Sequence, residues 1–277
     1  MAGKALLIRN TLAIIVFAIF DIITKNIYIS FSVMLLTNIF VIFIYDFRLT
    51  KMKKEDLTLR YENVKKIVKD CMPLGISTLV SMYVINAVKY AIDMYGDNTM
   101  QTYFNVLYMP TFVINLVSIF IMKPFLKPFG EYWNQGEYKK FIKTIGLIIL
   151  FLTGVTAVIE VAALTLGIPI LGWLYGIDLQ AHRLELFLLI LSGLFYAAST
   201  VIFYALGTIR RQKNTTIAYV ISAVFAFIIS NILVKAQGIL GATIASTSIM
   251  VVLFFILFIF FGIGYQKEKK LKKEGNQ

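Results

Sequence analysis

The sequence predicts an all-α polytopic membrane protein with eight transmembrane helices, two followed by a six-helix C-terminal bundle, and both termini cytoplasmic. Composition is the first reason. Hydrophobic residues make up 59% of the 277 and charged residues only 15%, with a mean hydropathy of +0.79, where a soluble domain carries about 25% charge. The apolar residues also gather in eight continuous runs, each near the roughly 20 residues that a spanning helix needs, without the alternation of a barrel strand. Positive charge supplies the third reason. Of the 27 lysines and arginines, 23 fall in every second connection, which assigns those connections to the cytoplasm.

In order, the runs cover 6–24, 28–46, 68–92, 99–122, 143–167, 184–206, 215–234 and 239–264. The first imitates a secretory signal, with basic residues ahead of an apolar stretch. "DIITKNIYIS" follows without a small-x-small cleavage site, so the run stays as a span. The basic segment "RLTKMKKEDLTLRYENVKKIVK" separates the second run from the third, which Pro73 opens. Pro110, Pro124 and Pro128 punctuate the fourth run and its exit, where they permit kinks. "EYWNQGEYKKFIK" interleaves aromatics with lysines in the manner of an interfacial amphipathic helix. The longest external connection is expected from about Gly167 to Arg183. "GILGATIAS" opens the last run with small residues that allow close helix approach. This topology accounts for the +12 net charge, with anionic lipid headgroups as its partner and no nucleic acid required.

Short connections leave no room for a soluble catalytic domain, and HExxH, GxSxG and GxxxxGK[ST] patterns are absent. No enzyme is expected. No metal site is expected either, because Cys71 is the only cysteine and His182 the only histidine. Ionisable residues inside the spans then become the functional candidates. Lys89 and Asp93 stand four residues apart on one helix face. Lys89 lies about 24 Å beyond Pro73, in the outer third of a core about 30 Å thick. Two readings stand for it: a snorkelling anchor, or a charge held for a ligand. Asp21 and Glu160 come at similar heights. A carboxylate does not snorkel far, so Glu160 is expected to face the bundle interior or a wet cavity. Glu160, Asp93 and Asp21 form the set of ion-coupling candidates. Asn38, Asn86, Asn105, Asn115 and Asn231 also recur within the spans, with Tyr83, Tyr90, Tyr103, Tyr108 and Tyr204. Singly, each is explicable as interhelical glue or an interface anchor; together they would suit a carbohydrate cavity.

"INAVKYAID" followed by "YFNVLYMPTFVINLVSIFIMKPFLKPFGEYWNQGEYKKFIK" resembles the lipopolysaccharide and polysaccharide biosynthesis flippases. So do "GIPILGWLYG", "FYALGTIRRQK" and "GILGATIAS" in their order and spacing. These flippases belong to the multidrug/oligosaccharidyl-lipid/polysaccharide exporter superfamily. The resemblance implies translocation of a polyprenyl-pyrophosphate-linked oligosaccharide across the cytoplasmic membrane, by alternating access between two six-helix bundles. It implies no cofactor beyond coupling to a proton or sodium gradient, and other polysaccharide-assembly proteins as partners. The family's Asn-x-x-basic-Tyr pattern falls on Asn86, Lys89 and Tyr90. Lys89 is then the expected pyrophosphate contact, with Asp93 as its modulating partner. Arg9, near the cytoplasmic end of the first run, is a second candidate at the inner mouth.

The family's twelve-span pattern matches from its fifth span onward. Residues 1–46 are therefore expected as a two-helix remnant of a first bundle, 47–67 as a cytoplasmic linker, 68–264 as a whole second bundle and 265–277 as a basic tail. Matching hairpins that open on "RNT" and "KNT" point the same way, and a chain lacking four helices is expected to be inactive alone. A drug or cation exporter of the same superfamily would favour a carboxylate-lined cavity over a lysine. A non-catalytic scaffold of a polysaccharide-synthesis complex would depend on neither.

Overall fold

The structure, a computed structural model, describes residues 2–41 and 61–274. Every regular element in them is helical. Five stretches are long and apolar enough to cross a membrane: Gly75–Tyr95, Met109–Asn134, Tyr138–Tyr175, Gln180–Thr208 and Gln212–Leu271. The protein is a multi-pass membrane protein. The basic segment around Lys54 lies outside the described residues.

The chain divides into two compact units, Met1–Ile67 and Val68–Gln277. The first holds a helical hairpin, α1 (Ala2–Thr24) and the shorter apolar α2 (Ile27–Val41). Lys25 turns the chain with a left-handed φ of 48°. Asn26 Oδ1 then accepts from the Tyr28 N–H at 3.0 Å, satisfying one of the donors that a helix start leaves open. Phe17 and Phe31 meet across the hairpin with ring centroids 5.1 Å apart.

The second unit is built from α3 (Tyr61–Tyr95), which crosses the boundary, α4 (Asn98–Leu107), α5 (Met109–Asn134), α6 (Tyr138–Ala162), α7 (Ile168–Tyr175), α8 (Arg183–Thr208) and α9 (Gln212–Glu274). Asp97 caps α4 by accepting from the Met100 N–H at 2.8 Å. The single run expected over 99–122 is broken at Tyr108 and extends further, to Asn134. Pro110 sits in the first turn of α5, where its missing N–H costs nothing. Pro124 and Pro128 remain inside α5, as proline can within a membrane helix.

Two connections differ from expectation. "EYWNQGEYKKFIK" is no separate amphipathic helix. Its first residues finish α5, Gln135–Glu137 turn, and its last residues begin α6. The aromatic residues that imitated an interface anchor are packed instead. Trp133 and Phe141 are buried, and Trp133 meets Tyr138 and Tyr265 at 5.1 and 5.9 Å between centroids. The connection expected over Gly167–Arg183 is mostly helix, because α6 runs through a π-helical turn, Ala163–Gly167, into α7. Pro169 has no N–H to give to an ordinary α-helical bond, and a wider turn ahead of it absorbs that loss.

Central to this unit is α8. Its apolar window is 56% buried, against 22% for Met109–Asn134 and for Tyr138–Tyr175. Hydroxyls tie it to its neighbours: Thr111 donates to the Leu189 carbonyl at 2.7 Å and Thr247 to the Leu188 carbonyl at 2.8 Å. Such bonds take the place of the hydrophobic effect, which is absent between helices in lipid.

The last helix doubles back. As one rod, residues 211 and 268 would lie about 85 Å apart, yet Arg211 Nη2 stands 2.7 Å from Glu268 Oε1. The reversal occurs at Gly238, whose φ of 57° and ψ of −129° suit glycine alone. Just beyond it, a Cβ on Gly241 would fall 1.9 Å from the Leu233 carbonyl oxygen, so the arms 212–237 and 239–274 touch backbone to backbone. The expected basic tail begins as the last turns of the second arm. Lys269 lies over both Tyr138 and Tyr265 at 5.4 Å from each ring.

Candidate functional site

Lys89 is half-buried on α3, and its Nζ lies 5.4 Å from the centre of the Tyr108 ring at the α4–α5 break. A cation over an aromatic face is held by the ring's quadrupole, worth about 0.5–2 kcal/mol. The expected pairing with Asp93 is not formed. Ion pairs among the described residues include Lys127–Glu131, Lys140–Glu137, His182–Glu185 and Arg211–Glu268, while Asp93 is exposed. The break that Pro110 sets at Tyr108 turns that ring toward α3, and the ammonium takes it in place of a solvated carboxylate. Asn86 donates to the Met82 carbonyl of its own helix at 2.9 Å. Tyr90 is exposed and stacks on Tyr83 at 6.0 Å between centroids.

The other predicted residues lie on other helices. Arg9 and Asp21 lie on α1, in the first unit, where Asp21 Oδ1 accepts from the Ser30 hydroxyl at 3.4 Å. Glu160 is half-buried on α6, one turn before the π-helical segment. Its Oε1 is shielded and has no hydrogen-bond partner among the described residues. His182, at the start of α8, contacts Glu185 at 3.2 Å and meets the Tyr103 ring edge-on at 5.1 Å. No group of three or more His, Cys, Asp or Glu that could hold a metal occurs among the described residues.

A second feature was not legible as a site: a cavity of about 220 Å³ between α3, α5, α8 and the first arm of α9. Ser77, Thr78 and Ser81 come from α3, and Tyr196, Thr200 and Tyr204 from α8, with Tyr219 across from them. The α8 trio recurs every fourth residue and so forms one stripe. Phe203 wedges the wall, with its ring 5.4 Å from Tyr204 and 6.3 Å from Tyr219. Ser77 Oγ and Thr216 Oγ1 join α3 to α9 at 2.7 Å.

Hydrogen bonding fixes what this cavity presents. Ser81 donates to the Thr78 carbonyl at 2.8 Å and Thr200 to the Tyr196 carbonyl at 3.1 Å. Each hydroxyl hydrogen is thus spent within its own helix, and the oxygen lone pairs are left to accept. The tyrosine hydroxyls add donors. Lys89 with Tyr108, and the cavity with its tyrosines and hydroxyls, are thus two polar groups of this unit. Of these, Lys89, Tyr108 and Tyr204 were legible singly; Tyr196, Tyr219 and the serines and threonines were not. Their signal was the spacing Tyr196–Thr200–Tyr204 on one run. No known protein family, curated protein or solved structure matches this chain.

Proposed function

We propose that the protein takes part in moving a polyprenyl-pyrophosphate-linked oligosaccharide across the cytoplasmic membrane for cell-surface polysaccharide biosynthesis. The hydroxyl- and tyrosine-lined cavity carries this reading. A cavity offering lone pairs, hydroxyl donors and ring faces suits a polyhydroxylated ligand, which has donors and acceptors all round and apolar C–H faces to stack. Lys89, seated on Tyr108 in the same unit, adds one cation suited to a phosphate. In this reading all eight apolar runs cross the membrane, the two arms of α9 being separate crossings, with both termini in the cytoplasm. Glu160, whose shielded Oε1 has no hydrogen-bond partner among the described residues, is the coupling group for a proton or sodium gradient.

Complementation of a flippase-deficient strain tests this. Expression of the full chain is expected to restore surface polysaccharide, which would set aside the expectation that eight spans are inactive alone, and Thr200→Trp, which fills the cavity, to abolish the restoration. Failure of the chain to restore polysaccharide, together with export of lipophilic cations, would replace the proposal with the drug-exporter reading.

A further inference from the structure

We infer that the outer face of α6 carries a binding site for one anionic glycerophospholipid, with an acyl chain in a groove and the phosphate on two lysines. The groove has two adjoining parts that share Phe151. One, of about 490 Å³, lies between Pro124 and Phe125 of α5 and Leu147 and Phe151 of α6. The other, of about 470 Å³, continues along α6 past Gly154 to Val158. The α6 residues form one stripe at helical spacing. From Thr144 to Val158 it extends about 21 Å, against about 15 Å for one leaflet of the hydrocarbon core. A Cβ added to Gly154 would meet nothing within 4 Å, so the floor there is open.

Charge selects the occupant. One turn before Thr144 the same stripe reaches Lys140, with exposed Lys143 beside it. This end of α6 adjoins the α5–α6 turn, at the basic side of the bundle. Lys140 is held by Glu137 at 2.6 Å, a carboxylate that competes with a phosphate there. Lys143 has no ion pair among the described residues. An apolar trough longer than one leaflet that ends in two ammonium groups matches a lipid with a tail and an anionic head. A zwitterionic lipid would bring a choline cation to the same lysines. The site follows from membrane placement and does not rest on the cargo proposed above.

Native mass spectrometry of the purified full chain, titrated with phosphatidylglycerol or phosphatidylcholine of identical acyl chains, tests the inference. One phosphatidylglycerol is expected to be retained at about tenfold lower concentration than phosphatidylcholine, a preference that 1.4 kcal/mol supplies. Lys140→Gln/Lys143→Gln is expected to erase the preference. Glu137→Gln, which frees Lys140, should enlarge it. Gly154→Phe, for which there is space, should weaken both lipids alike. Equal retention of the two lipids by the unaltered chain, or a preference that survives the double lysine substitution, would overturn the site. Tighter retention of a polyprenyl phosphate than of phosphatidylglycerol, or a second copy of the chain in its place, would overturn the occupant.

Discussion

Lys89 illustrates how one charge is made tolerable inside a greasy helix. Its side chain is half-buried, and its ammonium rests on a ring that asks for no counter-ion. The pair predicts a split between two substitutions of Tyr108. Tyr108→Phe keeps the quadrupole and is expected to leave thermal stability within about 0.5 kcal/mol. Tyr108→Leu removes the cation's seat and is expected to cost about 1 kcal/mol. Melting of the purified protein measures both, and equal effects would show that the ring acts only as bulk. Lys89→Ala is expected to lower transport at least tenfold, through loss of a charge-assisted contact worth about 1.5–3 kcal/mol, while insertion stays normal. Normal transport by Lys89→Ala would leave the lysine a plain anchor. Residues of this kind are legible in a sequence because a charge in an apolar run is rare. The hydroxyls of Ser81 and Thr200 were not legible, since a membrane helix absorbs such groups by bonding them to its own carbonyls. Only the cavity gives them a shared role.

Among the elements, α9 depends most on single positions. Gly241 lies where any side chain would strike the Leu233 backbone, and overpacking of this kind costs about 1–3 kcal/mol. Gly241→Ala is therefore expected to lower the melting temperature clearly. Gly262→Ala, in the same arm with nothing within 4 Å of the added carbon, is expected to be neutral or slightly stabilising. If the two behave alike, the arms do not touch as described. The helices themselves were legible because the bilayer demands long apolar runs. Their ends were less so. α5 outlasted its expected limit because Pro124 and Pro128 do not stop a helix sheltered in a membrane, and α7 was hidden because Gly167 and Pro169 read as loop. Trp133 and Tyr138 imitated a surface anchor because aromatic residues beside lysines look the same whether they face headgroups or one another.

For the whole molecule, the alternation of basic charge predicts which connections share a side. Single cysteines in a Cys71→Ala background report this directly. With an impermeant maleimide on intact cells, Gly96→Cys and Gly176→Cys are expected to react, and Gln135→Cys and Gln212→Cys only after the membrane is opened. The reverse pattern would invert the orientation, and labelling of all four in intact cells would break the alternation. The turn at Gly238 also constrains how the molecule is made. Because only a single residue separates the two arms, neither can be placed far from the other in the folded protein. On the reading that both arms cross the membrane, they are expected to enter the bilayer together as a folded pin, led by its tip. A glycosylation tag placed at Gly238, in a chain arrested when only the first arm has cleared the ribosome, is then expected to stay unmodified, and to become modified once the second arm has emerged as well. Early modification would mean that the arms insert one after the other.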